Sequence, residues 1–129
     1  MEYMYKGLAH IGIMTDDPEG CAKFYIDNLD FRLMHVADRG DFKIAFVENG
    51  GVILEFIGRG RREAEGTIAH FCFEVVNIDK TVERLIRNGV KCDSEKANVM
   101  EGLLPFPVKN FFFTGPAGEK VELFDYSGL

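Results

Sequence analysis

The sequence predicts an α+β chain built from two copies of one strand, helix, three-strand module, and three observations carry that reading. Leu8-Ala9-His10-Ile11-Gly12-Ile13 returns as Ile68-Ala69-His70-Phe71-Cys72-Phe73, so that His10 and His70 stand 60 residues apart in the same setting. A helix-start signal follows each copy at that same offset. A carboxylate then sits inside the last apolar run of each half. Internal repetition of this kind constrains the whole fold before any element is assigned.

Both His segments read as strands from their apolar content and length. Asp17-Pro18 offers a helix N-cap with Pro at the first helical position, and Asn77 supplies a cap at the matching place. In the first helix Cys21, Phe24, Tyr25 and Leu29 form an apolar stripe. In the second the stripe is Ile78, Val82, Leu85 and Ile86, with Gly89 placed for a left-handed C-cap. The stripes are core faces. Strand-like runs follow at Phe31–Val36, Phe42–Val47 and Val52–Ile57, then at Val90–Cys92, Lys109–Phe113 and Lys120–Phe124. Asn49-Gly50-Gly51 and Pro116-Ala117-Gly118 are turn sequences that join the last two strands of each half as hairpins. Gly58–Gly66 is polar and glycine-bounded, which makes it the linker. The expected organisation is one domain over 1–129, with modules at about 7–57 and 67–125 and a linker at 58–66.

Composition narrows the function. The chain has 129 residues, 47% hydrophobic and 28% charged, which excludes disordered and collagen-like classes. A net charge of -6 removes any bulk attraction for a phosphate backbone, so no nucleic acid partner is expected. No apolar run reaches the roughly 20 residues of a membrane span, and Met1–Lys6 lacks the order of a secretion signal. A cytoplasmic protein without membrane contact is expected. Cys21, Cys72 and Cys92 are odd in number and widely spaced, which argues against a disulfide framework and a thiolate zinc site and reads as reduced, half-buried thiols.

The chemistry lies in the carboxylates and imidazoles. Glu55 in Ile53-Leu54-Glu55-Phe56-Ile57 and Glu122 in Val121-Glu122-Leu123-Phe124 interrupt apolar strands, where an unpartnered carboxylate costs several kcal/mol to bury. A bound cation removes that penalty. His10, Glu55, His70 and Glu122 thus form a four-ligand set for one divalent metal, with open positions for water or substrate. Nickel, zinc, cobalt, manganese and iron all suit these ligands.

The doubled module, the opening His10-Ile11-Gly12-Ile13, the helix with Phe24-Tyr25 and Leu29, and the closing Gly115-Pro116-Ala117-Gly118-Glu119-Lys120-Val121-Glu122-Leu123 resemble vicinal oxygen chelate proteins, most closely those like glyoxalase I. The likeness runs from Leu8 to about Asp125. It implies two pseudo-symmetric βαβββ modules whose curved, half-barrel-like mixed sheet surrounds a metal held by His10, Glu55, His70 and Glu122. It also implies a lyase or isomerase acting on a 2-oxoaldehyde thiol adduct through an enediolate. Glu122 is then the principal base and Glu55 a ligand and second base.

Where glyoxalase I proteins tend to carry an Arg for a glutathione carboxylate, this chain has Ile11-Gly12-Ile13-Met14. Two other readings stand beside the first: an acyl-CoA epimerase of the methylmalonyl-CoA epimerase type, which usually has Gln in place of Glu55, and a small-molecule binding or resistance protein. A two-His, one-Glu iron site like that of extradiol dioxygenases is disfavoured by the fourth ligand.

Arg59, Arg61, Arg62 and Lys109 are weak candidates for holding an anionic substrate group. His35 has no duplicate and reads as a surface residue. Met100–Pro107 is apolar for a loop and either caps the pocket or packs in an interface. A homodimer is expected, since two half-sheets leave strand edges to cover. The linker length leaves open whether the site is built within one chain or by modules exchanged between two.

Overall fold

Two mixed β-sheets, each carrying one helix, make up the computed structural model, which describes Leu8 and residues 10–60, 70–101 and 104–126. The chain divides into two units, Met1–Arg61 and Arg62–Leu129. The first contains β1 (Ile11–Met14), α1 (Pro18–Leu29), β2 (Arg32–Asp38), β3 (Lys43–Asn49) and β4 (Val52–Ile57), with sheet order β1-β4-β3-β2. β1 is parallel to β4 and the other neighbours are antiparallel.

The second unit contains β5 (Phe71–Glu74), α2 (Ile78–Arg87), β6 (Lys91–Cys92), β7 (Asn98–Met100), β8 (Val108–Thr114) and β9 (Lys120–Asp125). Its order is β5-β9-β8-β6, with β7 also pairing β8 and β5 parallel to β9. The expected doubled module is therefore present.

Both helices begin where the caps are. The Asp17 carboxylate accepts from the Gly20 N–H at 3.0 Å with Pro18 opening α1, and the Asn77 side chain accepts from the Lys80 N–H at 3.3 Å. Each of these bonds satisfies a donor that the first helical turn leaves unpaired. α2 ends in a paired cap, in which the Val90 N–H reaches the Leu85 carbonyl and the Gly89 N–H the Ile86 carbonyl, both at 3.0 Å. The Asn49-Gly50-Gly51 hairpin forms as expected. Gly50 and Gly51 both have positive φ, 56° and 85°, the condition of a two-residue turn whose twist matches its strands.

α1 packs on β3 and β4, burying Cys21, Ala22, Tyr25 and Leu29 in a core shared with Ala45, Val47, Leu54 and Phe56. Tyr25 is fully enclosed, with its ring stacked on Phe56 at 5.4 Å between centroids. In the second unit Ile78, Val82 and Leu85 of α2 share a core with Phe111, Phe113, Val121 and Leu123. Alternation along each strand then gives every other residue to the opposite face. The helices thus occupy one face and leave the other for chemistry.

Four details differ from the sequence reading. β1 and β5 begin at Ile11 and Phe71, because the parallel ladders start there, so His10 and His70 sit just ahead of their strands. β7 is an additional strand, three residues long and flanked by polar sequence that carries no strand signal. Ile86 is exposed, since α2 turns only Ile78, Val82 and Leu85 inward. Gly58 and Gly60 are tied to the first unit, through the Lys43 and Thr15 carbonyls, instead of lying in free linker. Residues 61–66 of that linker, and Leu103 of the apolar loop, lie outside the described residues. In the same loop Phe106 is exposed beside the Tyr126 ring.

The three cysteines are free, with Cys21 buried, Cys92 partly buried and Cys72 exposed. Among the described residues no helix is long and apolar enough to cross a membrane. Replacing Asp17 by Ala removes the α1 cap and is expected to cost about 1 kcal/mol of stability, read as a lower midpoint in urea unfolding with unchanged slope.

Candidate metal centre

The parallel ladders bring the predicted side chains together in pairs. Gly12 lies opposite Glu55 across β1 and β4, and Cys72 lies opposite Glu122 across β5 and β9. Each His precedes that residue by two, so it rises on the same side as the Glu. The result is a His10 Nε2 to Glu55 Oε1 separation of 3.2 Å and a His70 Nε2 to Glu122 Oε1 separation of 3.0 Å. The two halves repeat one another in this respect as in topology.

Each imidazole leans edge-on against a phenylalanine one strand beyond the glutamate's, His10 on Phe46 of β3 and His70 on Phe112 of β8. These phenylalanines stand opposite Glu55 and Glu122 in the antiparallel ladders. The imidazoles are 46% and 39% exposed, whereas the carboxylates are 17% and 9% exposed. The carboxylates are thus sunk in the sheet while the rings reach outward, an arrangement open to a ligand from the imidazole side. Glu122 has one more partner, since the Asn110 side-chain N–H donates to its Oε2 at 3.0 Å.

The donor set fits a divalent cation. Two ligands on adjacent positions of one ion, with bonds of about 2.0–2.2 Å, lie roughly 3 Å apart, which is the His–Glu separation found in both units. Neutral imidazole and carboxylate together suit zinc, nickel, cobalt and manganese. Among the described residues no three His, Cys, Asp or Glu side chains gather in one cluster able to hold a metal. Each unit presents two donors.

Cys72 and Gly12 break the repeat. A Cβ at Gly12 would stand 3.4 Å from Glu55 Oε1, so glycine leaves that carboxylate uncrowded. In the second unit the same register position carries a thiol beside Glu122. Partial withdrawal from water, with the Glu122 charge adding to it, pushes the Cys72 pKa up to about 12. Burial, and then Asp93, raises that of Cys92 as well.

The weaker candidates are placed as follows. Arg59 lies over the Phe42 ring at 4.8 Å, and Lys109 pairs with Asp79 at 3.2 Å, so both cations already have partners within their own unit. Arg61 and Arg62 lie outside the described residues. His35 is exposed on β2. Sequence reasoning missed Phe46, Phe112, Cys72 and Asn110. The phenylalanines are 66 residues apart and the glutamates 67, against 60 for the histidines, so a fixed offset loses the later strands. The insertion that contains β7 and the longer β8–β9 turn account for the drift.

A family model for the Glyoxalase/Bleomycin resistance protein/Dioxygenase superfamily matches residues 7–123, and the chain belongs to that superfamily. An uncharacterized protein of Bacillus subtilis (strain 168), YwkD, is 27% identical over 133 residues, covering 95% of this chain and 98% of its own. YaeR of Escherichia coli (strain K12), also uncharacterized, is 30% identical over 131 residues, covering 93% and 96%.

Among solved structures, a glyoxalase family protein from Enterococcus faecalis superposes with a TM-score of 0.75 at 21% identity, covering 95% of this chain and 100% of the other. The fosfomycin resistance protein FosX from Listeria monocytogenes, solved with Mn(II) and sulfate, gives 0.75 at 19% identity, covering 96% and 95%. These structures share the fold. The superfamily expectation drawn from the sequence holds.

Because its pKa is raised, Cys72 stays a neutral thiol at pH 8 and gains thiolate only as pH approaches about 12. In metal-stripped protein, alkylation of Cys72 by iodoacetamide at pH 8 is expected to be much slower than that of free cysteine. Glu122→Gln is expected to speed it, as mass spectrometry of the labelled peptide would show.

Proposed function

We propose that the protein is a divalent-metal-dependent lyase or isomerase of glyoxalase I type, with His10, Glu55, His70 and Glu122 as the metal ligands. The observation that carries this reading is the duplicated His–Glu pair, 3.2 and 3.0 Å apart, at equivalent register in two like modules. Belonging to the superfamily supports it, as does the fit of the donor set to nickel, zinc, cobalt or manganese. The substrate class is a 2-oxoaldehyde thiol adduct with adjacent oxygens. The bound metal would supply positive charge to those oxygens and so lower the barrier to removing a neighbouring proton.

The chain's own groups would move that proton. Glu122 takes it at one carbon and returns it at the next, with Glu55 as the second carboxylate. Enclosure suits this role, because a carboxylate sunk in the sheet returns the proton to substrate before water exchanges it. The imidazoles, half-exposed beside Phe46 and Phe112, would hold the metal together with the two carboxylates. Arg59 and Lys109 would release their present partners to meet an anionic substrate group. We place this activity in one glyoxalase-like domain of a cytoplasmic homodimer.

A second reading, a resistance protein acting on a small toxic molecule, is favoured by the first strand. Ile11–Met14 offers no cation for a glutathione carboxylate, and FosX shares the fold.

His10→Ala and His70→Ala are each expected to lower metal content sharply in protein purified without chelators, as elemental analysis would show. Full metal retention in both variants would remove the ligand assignment. Glu122→Gln keeps an oxygen ligand but no base, and is expected to lose roughly two to four powers of ten in turnover on a panel of thiohemiacetals while keeping much of its metal. Added metal is expected to raise the melting temperature, since a ligand of the folded state alone stabilises it.

A further inference from the structure

Asn110 lies on β8 with 5% of its surface exposed. Its N–H donates to Glu122 Oε2 at 3.0 Å, and its Oδ1 is buried with no hydrogen-bond partner among the described residues. A half-satisfied buried amide costs stability, because its oxygen has given up water for nothing. The fold does not require an amide at this position. Asn110 pairs with Phe124 two places along the ladder from Phe112 and Glu122, and in the first unit the same step from Phe46 and Glu55 leads to Ile44 opposite Ile57. An aliphatic side chain fills the equivalent position there.

We propose that Asn110 is a positioning residue that fixes the plane of the Glu122 carboxylate, so that Oε1 faces the His70 side of the site. This rests on the metal reading given above. With Oε2 tied to the amide and Oε1 next to His70, both carboxylate oxygens have assigned directions. Glu55 has His10 on one oxygen, Ile44 where the amide would be, and Gly12, which has no side chain to press on it, alongside. The duplicated carboxylates are thus unequal, Glu122 held and Glu55 loosely seated. Side chains that orient metal ligands in this way lower metal affinity when they are replaced.

The test compares wild type, Asn110→Leu, Glu122→Ala and the double variant, with Mn(II) binding followed by loss of the free-ion electron paramagnetic resonance signal. Thermal unfolding of the metal-free proteins runs in parallel. The expected result for Asn110→Leu is an affinity lower by roughly 10- to 100-fold, with a metal-free melting temperature equal to wild type or higher. In the Glu122→Ala background the same change is expected to do nothing more, because Asn110 acts through that carboxylate.

Equal affinity in wild type and Asn110→Leu overturns the inference alone. So does an equal loss in both backgrounds. A wild-type protein that takes up no Mn(II) overturns the metal reading beneath it. If Asn110→Leu does not fold, Asn110→Ser, which is too short to reach Glu122, is expected to show the same loss of affinity.

Discussion

A carboxylate among Val, Leu and Phe on a strand is tolerable only on the face away from the core, and in both units the parallel ladder decides which face that is. β1 stands at one edge of its sheet, the chain crosses by α1 to the far edge at β2, and β3 and β4 return until β4 lies beside β1. The helix closes one face over Leu54 and Phe56. Shifting β4 by one residue would drive Glu55 into that core and turn Leu54 and Phe56 outward. The same register decides the fate of Glu122 between Val121 and Leu123. Helix placement, strand order and the His–Glu separations all follow from this alignment.

Much of it was legible in the sequence because the signals were local. Asp17-Pro18 and Asn77 state where helices begin, and Gly50-Gly51 states where two strands turn back, each through hydrogen bonds or backbone angles set within a few residues. The candidacy of His10, Glu55, His70 and Glu122 was legible through repetition, a long-range signal that single residues lack, whereas which His meets which Glu came with the parallel ladders. Asn110 and Cys72 were not legible. An Asn in Lys109-Asn110-Phe111 and a Cys in Phe71-Cys72-Phe73 look like ordinary strand residues. Only the cross-strand register, which no sequence pattern states, puts an amide and a thiol beside Glu122.

The duplicated halves have diverged around a shared geometry. The His–Glu separation and the phenylalanine against the imidazole are kept in both, while the residues around the carboxylate have changed. Gly12 and Ile44 surround Glu55 with small or apolar groups. Cys72 and Asn110 surround Glu122 with polar ones, and the thiol pKa is raised first by withdrawal from water and then by the Glu122 charge. Symmetry of position without symmetry of surroundings lets two identical functional groups differ in the hydrogen bonds that hold them.

The position of each Glu on the final strand of its unit bears on the order of folding. Hairpins β3–β4 and β8–β9 join neighbouring segments and close early, whereas β1–β4 and β5–β9 join segments more than 40 residues apart in sequence, the kind of contact that forms late. A partly folded unit can therefore hold its helix and its hairpin while its imidazole and carboxylate remain strangers. On loop-closure grounds the His–Glu pair belongs to the costliest ladder to close, so its formation would mark the completion of its own unit.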